Sequence, residues 1–246
     1  MYNFFVESSD KKDNRYFISG DDYNHIKNVL RMSVGDTFLV SCDGASDLCR
    51  LAAIESDTIV AEIIEENYQN TNLPISIHLF QGLPKSDKLE LIIQKTVELG
   101  VASITPVAMK RSIVKLDDKK KKTKRERWQA IAAAAAKQSK RSVIPELCEV
   151  LSYKQFIEKA KDLDLLLVPY ECADKMAATV DALSQIKIGM NIGIIIGPEG
   201  GFDETEINLA KEAGGKIISL GERILRTETA AITATAMCML YSEIKL

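Results

Sequence analysis

Two nearly uninterrupted aliphatic runs, "LDLLLVPYE" at 163–171 and "IGIIIGPE" at 192–199, constrain what this chain can fold into more than any other feature. A strand with one wet face alternates apolar and polar residues; these runs do not, so they read as central strands covered on both faces of a parallel sheet. "KIISLG" at 216–221 has the same character, "ISIHLFQG" reads as an earlier strand, and "ITPVAM" is a further candidate. Between them lie helical patterns. "SDKLELIIQKTVELG" puts Leu89, Ile92, Ile93, Thr96 and Val97 on one stripe with Gly100 just past its end. "DETEINLAKEAGG" sets Asp203 and Glu206 at capping-box spacing and reaches Gly214 as a stop. "RWQAIAAAAAKQSKR" is an alanine-dense helix, and a last helix spans 228–243. Alternating strands and helices from residue 73 onward predict an α/β domain, whose ligands belong at the carboxyl ends of its strands.

The first 72 residues have a different texture. "DTFLVSCDG" (36–44), "DLCRLAAIES" (47–56) and "TIVAEIIEEN" (58–67) are short strand-like segments separated by Asp, Gly and Ser turns, a pattern that suggests a small barrel or curled sheet. Before them "GDDYNHIKNVLRMSVGD" has helical spacing at Tyr23, Ile26, Val29 and Leu30. "NYQNTNLP" (67–74) is polar and serves as the linker, which places a domain boundary between residues 72 and 73.

At 246 residues with 46% hydrophobic content the chain has ample material for a core. Cys42, Cys49, Cys148, Cys172 and Cys238 form no CxxC pair, no metal-ligand spacing is legible, and no basic segment leads into an apolar run at the start. These features predict a cytoplasmic protein without metal. No window approaches the ~18 apolar residues of a membrane span. The net charge of -3 is mild, but "KLDDKKKKTKRER" (115–127) concentrates eight basic residues against three acidic ones. A solvated loop and helix start explains that run as well as a nucleic-acid contact does.

The turn "GPEGG" follows one of the two central runs. Glycines there permit close backbone approach and Pro198 stiffens the bend, yet neither GxGxxG nor GxxxxGK[ST] occurs, and Glu199 repels phosphate. A ligand with hydroxyls or positive charge suits it better. "SLGERILRTETAAITA" (219–234) leaves the next strand through Gly221 in the same manner, and the turn after "LLLVPYE" offers a third wall. GxSxG is missing and only two histidines exist, so a hydrolase triad is not legible.

"IIGPEGGF" followed by "SLGERILRTETAA", with "LPKSDKLELIIQKTVELGV" and the "RW" to "AAKQS" helix upstream, resembles the ribosomal RNA small-subunit methyltransferase E family over the whole chain. The resemblance implies an α/β fold with a SPOUT-type trefoil-knotted parallel sheet domain (73–246), preceded by a small PUA-like RNA-binding β-barrel domain (1–72). The knot rests on the resemblance alone, since ordinary connection rules argue against one. It further implies a homodimer that transfers methyl from S-adenosylmethionine to N3 of a uridine in 16S ribosomal RNA, with the assembled small subunit or the free RNA as substrate. The implied cofactor contacts are Val168 and Pro169 in the first wall, then Gly197, Pro198, Glu199 and Gly200, then Leu220, Gly221, Ile224, Leu225 and Arg226. Ile224 and Leu225 are expected against the adenine. Arg226 is the expected cation near the uracil carbonyls, with pairing to Glu222 or Glu228 as its plain alternative, and Glu199 or Glu228 are the candidate bases.

RNA contacts are expected at Arg31, Lys85, Lys88, Arg111, Gln138 and Arg141, each of which alone reads as ordinary surface but which together with the lysine run make a basic track. Trp128 is phased with the core side of its helix, His78 reads as a core histidine, and Cys238 as helix packing. Two other functions fit the same sequence: a SPOUT enzyme methylating ribose 2'-oxygens, and a noncatalytic RNA-binding assembly factor.

Overall fold

The structure, a computed structural model, describes residues 1–171 and 175–246. It divides into two compact units, Met1–Asn72 with Ala136–Ile144, and Leu73–Ala135 with Pro145–Leu246. Cys172 lies outside the described residues; Cys42, Cys49 and Cys238 are buried, Cys148 is half-buried, and all four are free thiols. Among the described residues no helix is long and apolar enough to cross a membrane.

The first unit holds a six-stranded sheet: β1 (Asn3–Phe5), β2 (Lys11–Lys12), β3 (Arg15–Ile18), β4 (Thr37–Cys42), β5 (Ala45–Ile54) and β6 (Ile59–Gln69), in spatial order β1-β4-β5-β6-β3-β2. β1 pairs β4 in parallel and the remaining neighbours are antiparallel. The three alternating segments supply β4, β5 and β6, whereas β1 to β3 are too short to display a period. β6 runs on into the stretch read as a linker, because exposed polar side chains are tolerated where ladder hydrogen bonds hold the backbone. Register shifts between β5 and β6 mark bulges that bend the sheet. Phe4, Tyr16, Phe38, Val40, Leu51 and Ile59 fill its core. Within it, buried Asp47 accepts hydrogen bonds from the Tyr16 hydroxyl (2.8 Å) and the Asn67 amide (2.9 Å).

The predicted helix of this unit breaks into α1 (Gly20–Asn24) and a π-helical turn, His25–Val29. The wider turn carries Val29 out to 69% exposure, while Tyr23 and Ile26 stay in the core. Far along the chain, Ala136–Ile144 belongs here too. Asn3 Nδ2 donates to the Arg141 carbonyl (2.9 Å), Lys137 pairs with Asp22 (2.7 Å), and the Ser142 hydroxyl donates to Asn72 (3.0 Å).

The second unit is a parallel sheet of β7 (Ser76–Gly82), β8 (Ser103–Ala108), β9 (Glu146–Leu147), β10 (Leu151–Ser152), β11 (Leu165–Pro169), β12 (Asn191–Ile196) and β13 (Lys216–Ile218). Its order is β10-β8-β7-β12-β11-β13, with β9 also on β8. The helices are α2 (Lys88–Glu98), α3 (Asp118–Gln138), α4 (Tyr153–Ala160), α5 (Lys175–Ser184), α6 (Glu204–Glu212) and α7 (Thr227–Lys245). The α2 stripe is buried at all five positions predicted for it. α6 begins at the predicted capping box, in which the Asp203 side chain accepts from the Thr205 amide (3.1 Å) and Glu206 accepts from the Asp203 amide (2.9 Å). α3 starts at Asp118, so the lysine run forms its opening turns rather than a loop. Trp128, on the same helix, is buried.

Both faces of this sheet are covered, as the aliphatic runs require. α4 and α6 pack with Phe80, Leu166, Val168 and Ile195 on one side, while α7 lies on β7 and β12 against α2. Because every strand is parallel, the turns that leave β11, β12 and β13 emerge at the same edge. β7 ends there as well, and at Gly82 its backbone approaches the turn after β12 so closely that a Cβ would lie 2.7 Å from the Pro198 nitrogen and Cδ. Overpacking of this kind costs about 1–3 kcal/mol. Gly82→Ala is therefore expected to lower the unfolding free energy by that amount, read as a lower denaturation midpoint at unchanged m-value. An unchanged midpoint would mean that the Pro198 turn moves aside without cost.

Candidate functional site

A cavity of about 550 Å³ opens at that shared edge. Pro169, Tyr170 and Glu171 line it after β11; Ile196 to Phe202 after β12; Ser219 to Gly221 and Arg223 to Thr227 after β13. Lys88, Arg111 and Ala230 complete the lining. Of the residues expected to hold a cofactor, Pro169, Gly197, Pro198, Glu199, Gly200, Leu220, Gly221, Ile224, Leu225 and Arg226 all lie in this lining. Val168 does not, since it is fully buried beneath it in β11.

Local chemistry fixes each wall. The β13 turn passes through Gly221 at φ +104, a backbone region that a side chain disfavours. Ser219 braces it: its hydroxyl accepts from the Gly221 amide (3.2 Å), while Thr179 of α5 accepts from the Ser219 amide (3.0 Å) and donates to its carbonyl (2.7 Å). The β12 turn is tied to the start of α7. The Thr227 hydroxyl donates to the Gly197 carbonyl (2.7 Å) and accepts from buried Gln81 Nε2 (2.9 Å), which also donates to the Gly82 carbonyl (2.9 Å). Each such bond contributes roughly 0.5–1.5 kcal/mol net, so the turn is held without help from a ligand.

The charged groups divide into paired and unpaired. Glu199 accepts from the Lys85 amide (3.0 Å) and pairs with Lys88 (3.1 Å), which also pairs with Glu228 (3.3 Å). Partial burial pushes the Glu199 carboxyl upward, but hydrogen bonds from its own amide and the Lys85 amide, together with Lys88, outweigh that and hold it below the ordinary carboxylate range. A carboxylate so held is a weak proton acceptor, which counts against Glu199 as a base. Glu228 does not line the cavity. Arg226 caps α7 with its side chain exposed, and among the described residues it makes no ion pair; the expected alternative pairing with Glu228 is replaced by Lys88. Ile224 is 86% exposed on the lining, an apolar side chain open to a ligand.

The residues expected to meet RNA do not form one group. Lys85 is exposed beside the cavity, and Arg111 lines it with Nη1 donating to the Gly200 carbonyl (3.2 Å). Lys88 is engaged by two carboxylates. Arg31, exposed with φ +52, and Gln138, also exposed, belong to the first unit. Arg141 is a correction: only 7% of it is exposed, and burial pushes its guanidinium down to about 10, so it offers no surface cation to a phosphate. His78 is half-buried at the opposite strand ends, hydrogen-bonded to Ser103 (2.8 Å) and Asn191 (3.2 Å). Sequence reasoning missed Gln81, Thr179 and Thr227 as supports of the walls. Nothing in spacing marks them, because their partners lie 30 to 146 positions away. Among the described residues no group of His, Cys, Asp or Glu is placed to hold a metal.

The family model for an RNA methyltransferase domain matches residues 71–239, and that for an RNA methyltransferase PUA domain matches residues 18–64. The ribosomal RNA small subunit methyltransferase E of Bacillus subtilis is 39% identical over 99% of this chain and 98% of its own length. That of Mesomycoplasma hyopneumoniae is 36% identical over 97% of this chain and 99% of its own. The crystal structure of the Neisseria gonorrhoeae enzyme bound to S-adenosyl methionine superposes with a TM-score of 0.82 at 29% identity, covering 100% of both chains. With a matched catalytic-domain model, near-complete coverage of its relatives and the same fold, this chain belongs to the ribosomal RNA small subunit methyltransferase E family.

Proposed function

We propose that this protein methylates N3 of a uridine in 16S ribosomal RNA of the small subunit, with S-adenosylmethionine as cofactor. The observation that carries the reading is the meeting of three turns, from β11, β12 and β13, around one cavity that joins backbone polar groups to exposed Ile224 and unpaired Arg226. The chemistry of that lining fits a phosphate-free ligand. Backbone groups of the three turns that their internal bonds leave open serve adenine and ribose edges, Ile224 and Leu225 cover the adenine face, and Glu199 disfavours an anion. Bound there, the cofactor supplies an electrophilic methyl group on a sulfonium that already carries its leaving group.

The remaining task of the chain is alignment and charge control. The walls orient the cofactor against a uridine splayed from its stack. Arg226 stabilises the anionic uracil formed when the imide proton is lost to solvent, and neither Glu199 nor Glu228 acts as the base. Arg31 and Gln138 on the first unit, and Lys85, Arg111 and the opening turns of α3 on the second, engage RNA phosphates. In this reading residues 1–72, joined by residues 136–144, form a PUA-like barrel that binds RNA, and the rest of 73–246 a SPOUT methyltransferase domain. The trefoil knot of that domain is part of the same reading and follows from the family. The enzyme works as a cytoplasmic homodimer.

Small ribosomal subunits and free 16S ribosomal RNA, incubated in parallel with labelled cofactor and digested to nucleosides, should yield 3-methyluridine. A ribose-methylated nucleoside would overturn the base specificity, and no product from either substrate would overturn the enzyme reading. Arg226→Ala should lower kcat by roughly 10²- to 10³-fold, the loss typical of one charge-stabilising donor. Unchanged turnover would remove Arg226 from the mechanism. Replacing Lys119 to Lys122 with Gln should weaken RNA binding and flatten the log K against log salt slope by up to roughly 3–3.5, at about 0.7–0.9 per phosphate contact. An unaltered slope would leave the run as a solvated helix face.

A further inference from the structure

We infer that Lys88 is a positioning residue for the cofactor cavity: its ammonium latches the turn after β12 to the start of α7 and does not contact RNA. The inference rests on the reading that this cavity holds S-adenosylmethionine. Three elements meet at the ammonium. Lys88 is the first residue of α2, Glu199 lies in the turn after β12, and Glu228 is the second residue of α7. Nζ is 3.1 Å from Glu199 Oε1 and 3.3 Å from Glu228 Oε2. A lysine opening a helix faces the positive end of the helix dipole, an unfavourable place for a cation unless carboxylates surround it. Here two do, and one of them opens a second helix, where a negative charge is favoured.

The latch works on a turn already tied at its other end, where Thr227 holds the Gly197 carbonyl. With Gly197 bound to the first residue of α7 and Glu199 bound through Lys88 to the second, the Gly197 to Glu199 backbone has both ends referred to one helix start. That backbone is the cavity wall. Removing the ammonium leaves Glu199 held only by its own amide and the Lys85 amide (3.0 Å), no longer tied to α7, and leaves two neighbouring carboxylates without their shared cation, so the wall loosens.

An RNA role is disfavoured by charge. The cluster of Lys88, Glu199 and Glu228 is net negative, and a phosphate would have to displace a carboxylate from the ammonium and then sit beside it. Counterion release rewards cations that are free in the unbound protein, which describes exposed Lys85 and not Lys88.

The test is a calorimetric titration of S-adenosylmethionine into wild type, Lys88→Gln, Lys88→Arg and Glu228→Gln, with binding of a 16S ribosomal RNA fragment measured without cofactor across a salt series. Lys88→Gln should raise the cofactor Kd and KM on the order of tenfold or more, Glu228→Gln should raise them in the same direction, and Lys88→Arg should restore most of the loss. RNA affinity and its salt slope should stay at wild-type values in all three. Cofactor affinity unchanged in Lys88→Gln, or a reduced RNA salt slope, overturns the inference. Thermal midpoints check folding; if Lys88→Gln does not fold, Glu228→Gln decides alone, and wild-type cofactor affinity in it overturns the latch. Absence of binding by wild type would instead sink the cofactor reading itself, a result distinct from wild-type binding that the variants share.

Discussion

The ladder that holds β12 between β7 and β11 is the constraint on which the rest depends. Parallel pairing sends every strand's carboxyl end to one edge, so the chain must make its turns after β11, β12 and β13 side by side. β12 has no polar position from Ile192 to Ile196, and that is affordable only because helices cover both faces. Loss of either covering layer would expose the strand that carries the central turn. Stability of the sheet and geometry of the cavity are therefore one problem.

What turns a sheet edge into a cavity is the bracing of backbone by distant side chains. Gly82 lets β7 come up against Pro198, Thr227 holds the Gly197 carbonyl while accepting from Gln81, and Thr179 holds both backbone groups of Ser219. These supports satisfy backbone groups that a turn would otherwise leave to water. Binding groups supplied by backbone carry no net charge. That suits a cationic, phosphate-free cofactor and leaves recognition of the anionic RNA to side chains elsewhere.

Charge in the molecule follows the same separation. Lys88 sits among carboxylates, Arg111 bonds a carbonyl, and Arg141 is buried, whereas Lys119, Lys120 and Lys122 at the start of α3 are exposed, Lys120 beside exposed Asp117 (3.0 Å). A basic residue in the sequence is thus not yet a basic surface. Its partners determine whether it presents a field to solvent or cancels one locally.

By itself the sequence determined the parallel α/β class, the α2 stripe, the α6 cap and the presence of polar glycine turns after the central runs, because periodicity, capping and turn chemistry are local and leave their mark within a few positions. It also carried the family, through motifs that lie in contiguous stretches. The tertiary structure alone decided that the turns line one cavity, that Glu228 answers Lys88 rather than Arg226, that Arg141 is buried, and that residues 136–144 join the first unit. The short strands β1 to β3 and the π-helical turn that exposes Val29 were likewise invisible, the former for want of length and the latter because one extra residue in a turn shifts the helical phase. Those features depend on which side chains meet across a hundred or more positions, and a meeting of that kind is set by packing, which no local spacing encodes.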